Sequence, residues 1–372
     1  MMQMVHSRFN TLLSASVMSI VATAAWSQSL TWLGTLGGRE SRAHAVSADG
    51  SVVVGWSYNP AGQSRAFRWT ASGGMQDLGT MGGTWSRAYG VSADGSVVVG
   101  GSDGRAFRWT ASGGMQDLGT MGGTWSEAYG VSADGSVVVG GTEVLAFRWT
   151  ASRGMQNLGT LGGNRSRAYG VSADGAVVVG WARNAAGDSR AFRWTASGGM
   201  QDLGTLPSGY DSVALGVSAD GSVVVGYAYN AAGRQHAFRW TASDGMQDLG
   251  TLDDSYTMAL GVSADGAVVV GYAYIAARQR AFRWKVCGCL EDLNLTYASL
   301  LTNGSVLYEA RAISPDGRYI VGRGWNAATR REEAFLLDTT PCTLDGDVNG
   351  DGKVDDTDLL ILLFNFGSQC RR

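Results

Sequence analysis

The residues whose types and spacing point most directly to chemistry lie near the C-terminus. Asp347-Val348-Asn349-Gly350-Asp351-Gly352-Lys353-Val354-Asp355-Asp356-Thr357-Asp358 places side-chain oxygens at positions 1, 3, 5, 9 and 12 of a twelve-residue loop. Gly352 at position 6 permits a sharp turn, and Lys353 at position 7 offers its backbone carbonyl. Ca2+ is a hard cation that takes about six to eight oxygens, and this spacing wraps them around one point. The expected ligands are Asp347, Asn349, Asp351, Lys353, Asp355 and Asp358. An apolar run at 359–366 follows as an exit helix.

Catalytic groups are sparse elsewhere. Beyond residue 27 only His44 and His236 remain. His44 stands where other repeats carry Tyr89, Tyr129 and Tyr169, and His236 where they carry Arg65, Arg105 and Arg190. Both read as substitutions within structural positions, not as members of a triad. Asp253-Asp254 is a pair of carboxylates of the kind that cleaves glycosidic bonds, but sequence does not fix their separation in space. No glycine loop of the phosphate-cradling type is present.

The elements that must position these residues are repeats. Ala-Phe-Arg-Trp begins at Ala66, Ala106, Ala146, Ala191, Ala237 and Ala281, with a worn copy at Ala334. Ser-Ala-Asp-Gly begins at Ser47, Ser92, Ser132, Ser172, Ser218 and Ser263, with Ser314-Pro315-Asp316-Gly317 as a seventh. The leucines of the Asp-Leu-Gly-Thr segments step by 45, 40, 40, 45, 46 and 44 residues, the size of a multi-strand unit. Each unit reads as four short strands, A to D, separated by Asp-Gly and Gly-Gly turns. Four strands in that length make one propeller blade. The repeats open with a lone D-type strand at 30–35 and end with a C-type strand at 334–337. The count balances only if the first D strand joins the last A-B-C set. That closes an all-β ring of seven blades and removes free edges. The competing architecture is an open β-solenoid.

Ala-Phe-Arg-Trp, Gly-Met-Gln-Asp-Leu-Gly-Thr, Leu-Gly-Gly and Val-Ser-Ala-Asp-Gly followed by Val-Val-Val-Gly resemble the HAF-type extracellular repeat of bacterial exported proteins. The resemblance covers about residues 30–338 and implies a β-propeller-like fold and export. The calcium loop, with Asp at position 12 and Asp-Leu-Leu after it, resembles a single dockerin repeat over 344–367. That resemblance implies attachment to a cohesin-like partner. Dockerins usually hold two repeats and one is visible, so a small calcium-stapled anchor is the alternative.

Composition fits this scheme. The chain has 55 glycines in 372 residues, about twice the usual share, which matches frequent tight turns. A net charge of -3 without a basic run argues against nucleic-acid binding. The first 27 residues read as a secretory signal, with an acid-free start and small residues at Ala25 and Ser27 before the cut. The apolar stretch is too short for a membrane span. The expected organisation is therefore a signal at 1–27, a propeller at 28–340 and a calcium module at 341–372, in a secreted or cell-surface protein. Four cysteines allow three full pairings. Cys342 and Cys370 flank the calcium loop, which favours a clasp there, while Cys287-Gly288-Cys289 replaces a C–D turn with its state left open.

Function is expected where the repeats disagree. The A–B and C–D turns lie on one face and are nearly invariant, whereas the D–A and B–C connections vary on the other. Trp85, Trp125, Arg165, Tyr210, Asp253, Asp254 and Tyr256 are the candidate binding residues there, with Trp85 and Trp125 expected to be exposed. Flat aromatics among polar tips suit polysaccharide or protein ligands. The repeated Arg of Ala-Phe-Arg-Trp is expected to pair across strands with the Asp of Gln-Asp-Leu-Gly. The expected role is a non-catalytic binding or scaffolding protein. A secreted polysaccharide-degrading enzyme, hydrolase or lyase, and a purely structural surface repeat are the alternatives.

Overall fold

The computed structural model describes residues 28–340 apart from 254, 277 and 287–289. The signal, the calcium loop, Asp254 and all four cysteines lie outside the described residues.

Each repeat folds as its turn residues dictate. In the second blade strand A is Ser86–Val91, B is Val97–Ser102, C is Arg105–Thr110 and D is Gly114–Asp117. Neighbours pair antiparallel in that order. The A–B turn is built by its own side chains. Ser92 Oγ donates to Asp94 Oδ1 at 2.6 Å and accepts from the Val97 N–H at 2.9 Å. Gly95 takes the left-handed φ of +71° that a side chain disfavours.

Seven such four-stranded sheets form a propeller. In the seventh blade A is Val306–Ile313, B is Tyr319–Asn326 and C is Arg331–Asp338. Its outermost strand is Ser29–Trp32, from the other end of the repeats, with Ser29 opposite Asp338 and Trp32 opposite Phe335. This is the closure that the strand count requires. The A strands are innermost: each touches the A strands of both neighbouring blades, and Ser41–Val46 of the first blade meets Val306–Ile313.

The core is divided into layers between blades. Phe107 and Trp109 of the second blade pack on Val52, Val54 and Ala66 of the first, with Ala88 and Val98. The same layer recurs around the ring and closes where Val321 and Ala334 meet Ala43, Val53 and Phe67. The buried phenylalanines are wholly shielded from solvent, so each layer draws most of its stability from apolar burial.

Polar bonds stitch the same junctions. Ser86 Oγ accepts from the Ala66 N–H of the previous blade at 2.9 Å and donates to the Gly79 carbonyl at 2.6 Å. Ser41 closes the ring in the same way, accepting from Ala334 at 2.8 Å. The repeated Arg corrects the sequence expectation. Arg68 stands opposite Gln76, not Asp77, and its Nε donates to the Gly95 carbonyl of the next blade at 3.4 Å. Arg108, Arg148, Arg193 and Arg239 repeat this bond to the next turn. The pleat explains it: Ala and Arg of Ala-Phe-Arg-Trp point to the following blade, Phe and Trp to the preceding one. The Asp instead accepts from the glycine N–H two residues on, as Asp77 does from Gly79 at 2.8 Å. The seventh blade has Leu336 at this position, and the sixth keeps the Arg but turns it elsewhere. There the helix Leu293–Thr296 follows strand D, and Arg283 turns to Glu291 at 2.7 Å and the Tyr297 hydroxyl at 3.0 Å.

Candidate functional site

Two regions carry functional side chains: the axis and the variable face. The axial one rests on a repeated irregularity. Every innermost strand breaks register at the same place, between Ala88 and Gly90 in the second blade. The same break occurs in the other six. A bulge inserts one residue and re-aims its side chain. The inserted residues are His44, Tyr89, Tyr129, Tyr169, Leu215, Leu260 and Arg311. The glycine that ends each Val-Val-Val-Gly strand makes room, since a Cβ on Gly100 would overlap the Arg87 carbonyl oxygen.

One arc of this ring is aromatic and polar. His44, Tyr89, Tyr129 and Tyr169 follow one another at centroid separations of 5.1, 5.2 and 5.1 Å. The opposite arc is Leu215 and Leu260, and Arg311 joins it to His44. A cavity of about 540 Å³ lies between the bulges and the A–B turns, walled by alanine, valine and glycine of the innermost strands. His44, Tyr89, Tyr129, Leu260 and Arg311 line it.

A charged belt lies two residues before the bulges. Arg311 pairs with Glu309 at 2.9 Å, and Glu309 also holds Arg323 at 2.9 Å. Glu127 accepts from the Tyr129 hydroxyl at 2.6 Å, with Arg87 and Arg167 close by. Burial raises the Glu127 carboxyl above its usual range in spite of these partners. Burial and the Glu127 charge push the Tyr89 hydroxyl up to about 12. His44 is held well below its ordinary value by burial, then by Arg311, Arg42 and Arg87. It is neutral at pH 7, and its Nε2 is shielded from solvent without a hydrogen-bond partner.

On the variable face, five of the candidate residues fall into two groups. Tyr210 stacks on Tyr229 at 4.8 Å, and Tyr256 meets Tyr274 edge-on at 6.4 Å. Tyr210 is 49% exposed and Tyr256 47%, and a second tyrosine packs against each of them. Gln235 donates to the Tyr229 hydroxyl at 2.9 Å and lines a groove of about 490 Å³ with Tyr256, Tyr272 and Tyr274. The two tyrosine pairs thus form one strip across the fifth and sixth blades. Trp85, Trp125 and Arg165 lie apart, the tryptophans on the connections leading into the second and third blades and Arg165 within the long first strand of the fourth, Gly162–Val171. Arg165 is exposed, but Trp85 and Trp125 are half-buried, contrary to the sequence expectation. Trp125 is covered by the Arg167 guanidinium, 4.9 Å from its ring. Asp253 accepts from the Ala276 N–H at 2.7 Å, which gives it a structural task in pinning two connections together.

Sequence reasoning missed a second groove of about 480 Å³, where Arg278, Arg280 and Arg323 face Tyr308 and Glu332. It adjoins the tyrosine strip, because Tyr274 and Gln279 are paired on the hairpin between them. It also missed the axial ring. The available signal was the one position within strand A at which the repeats vary among Tyr, His, Leu and Arg.

No family model matches this sequence, and no curated protein matches it. Solved structures match in fold. A hydrazine synthase structure from Kuenenia stuttgartiensis is 13% identical with a TM-score of 0.50, over 82% of this chain and 96% of that one. A TolB structure from Acinetobacter baumannii is 11% identical with a TM-score of 0.45, over 79% of this chain and 65% of that one. A putative TolB from Agrobacterium tumefaciens is 15% identical with a TM-score of 0.45, over 72% of this chain and 94% of that one. The chain thus spans less than two thirds of the Acinetobacter protein. At 13% identity the likeness to the hydrazine synthase structure bears on the fold alone.

Proposed function

We propose that this chain is an exported, non-catalytic binding protein whose variable face takes a polysaccharide along the fifth and sixth blades. One observation carries the reading: Tyr210 and Tyr256 are both about half exposed, and each is backed by a second tyrosine. Rigid, half-exposed rings beside hydroxyl and amide tips are the surface on which sugar rings stack. The basic groove next to the strip favours a polymer that carries carboxylates. The tail then serves attachment, with Asp347, Asn349, Asp351, Lys353, Asp355 and Asp358 holding Ca2+ and a cohesin-like module as the partner.

Affinity electrophoresis of the full chain against alginate, pectin and xylan tests the face. Tyr210→Ala and Tyr256→Ala are each expected to weaken binding about three- to tenfold. Unchanged retardation in both variants, or no retardation by any polymer, overturns the reading. Calorimetry with Ca2+ tests the tail: Asp347→Ala should abolish a saturable heat, and its persistence removes the calcium loop from the proposal.

A further inference from the structure

We propose that the axial cavity is a second binding site, for a small carboxylate with an apolar body. It is independent of the variable face, because every residue lining it belongs to an innermost strand or an A–B turn.

Size and polarity define the ligand. About 540 Å³ lies within the range of small-molecule sites. The wall is alanine, valine, glycine and leucine, which offers burial and no partner for a sugar or a nucleotide. The polar groups gather on one arc, where Arg311, His44 and Tyr89 stand side by side. The Arg311 Nε and the His44 Nε2 are both shielded and both without a hydrogen-bond partner. Leaving buried polar atoms unpaired is costly, and a ligand that engages them recovers that cost.

The charge on this arc asks for an anion. Arg42 is paired with Glu40, while Arg311 and Arg323 share Glu309, and Arg323 also reaches Glu332. Arg87 and Arg167 act on Glu127 through their charge without forming a direct ion pair with it. These are five guanidinium groups against four carboxylates, which leaves one positive charge over. A carboxylate balances it. The Arg311 Nε and the neutral His44 imidazole, as its Nε2–H tautomer, donate to that group, while Leu260 and the tyrosine faces cover an apolar or aromatic body. Multiply charged anions exceed that single charge, and wholly polar ones leave the apolar wall unused.

Isothermal titration calorimetry of the full chain with phenylacetate, phenylacetamide, acetate and inorganic phosphate tests the site. Phenylacetate should bind saturably, and the amide, acetate and phosphate should each bind at least about tenfold more weakly. Arg311→Gln should weaken phenylacetate by a similar factor. Val262→Phe fills the apolar wall without touching the charged arc, and it should abolish binding in a chain whose circular dichroism is unchanged. Equal binding of acid and amide overturns the anionic half of the proposal, and equal binding of phosphate overturns the apolar half. Undiminished binding in Val262→Phe, or no saturable phenylacetate binding by the native chain, overturns it altogether.

Discussion

Ala264 donates its backbone N–H to the Pro315 carbonyl at 2.9 Å, and Pro315 has no N–H to pass on to Ala48. The bond belongs to a chain of six around the axis. Ala48 donates to Ala93, Ala93 to Ala133, Ala133 to Ala173, Ala173 to Ala219 and Ala219 to Ala264, all at 2.9 to 3.0 Å. These are the alanines of the Ser-Ala-Asp-Gly turns, so the repeat that shapes each hairpin also ties it to the next. The circle is left open at the junction where the first and last blades meet.

Pro315→Ala should close it. The new N–H faces the Ala48 carbonyl, a bond worth about 1 kcal/mol. Loss of proline frees the unfolded chain and costs about 0.4–1 kcal/mol, so the net stability should change by less than about 1 kcal/mol. Hydrogen exchange separates the terms. The amide of the substituted residue should be protected to the same degree as that of Ala264. Exchange at the rate of a free peptide would mean that the seam does not close.

Ser41→Ala acts on the same junction from the outer side. Ser41 Oγ accepts from Ala334 at 2.8 Å and donates to the Gly34 carbonyl at 2.5 Å, fully buried. Removing it leaves a buried donor and acceptor unpaired, at a cost of about 2 kcal/mol. Ser86→Ala, with the equivalent bonds between the first and second blades, should cost about the same in urea unfolding. A much smaller loss for Ser41 would show that the seam carries less than an internal junction.

Much of this architecture was legible because one rule is repeated. The Asp-Gly turns, the Val-rich strand and the Phe-Trp face each placed a strand, and the unpaired D strand at Ser29–Trp32 specified the closure. The partner of the repeated Arg was not legible. Its spacing from Asp suits a cross-strand pair, but the pleat turns it toward the next blade, and a bond between blades leaves no trace in the order of residues. The candidate site was half legible. Tyr210 and Tyr256 differ visibly from their counterparts in other repeats and are about half exposed, whereas Trp85 and Trp125, the two residues expected to be exposed, are half-buried. The axial ring was hidden for a physical reason: a bulge breaks the period-two alternation by which facing is read.

Acid should loosen the A–B turns together. Asp94 is lowered to about 2 by the hydroxyl of Ser92, then by the N–H and hydroxyl of Ser96, and Asp220 is lowered to about 2 by Ser218 and Ser222 in the same way. Asp49, Asp134, Asp174 and Asp265 are lowered by the matching serines. A carboxylate whose native value lies below its unfolded value of 3.8 adds stability above that pH and loses it as the pH falls toward the native value. Stability should therefore drop between about pH 4 and pH 2. In an acid titration followed by circular dichroism, Asp94→Asn should flatten that drop. An unaltered slope would remove these turns from the acid transition.

His44 sets a second, milder dependence on the alkaline side of that range. It is held well below 6.5 by burial first, then by Arg311, Arg42 and Arg87, so the native chain resists the proton that the unfolded chain accepts. The sign is fixed by that difference. Above about pH 6.5 neither state is protonated and His44 contributes no slope; below it the unfolded state is favoured, and stability falls with pH. His44→Tyr extends the run of Tyr89, Tyr129 and Tyr169 by one ring and removes the titrating group. The variant should lose less stability than the native chain between about pH 7.5 and pH 5 when each is unfolded in urea. Equal losses would mean that His44 takes up its proton in the folded ring as readily as in the unfolded chain, and that the three arginines do not set its charge.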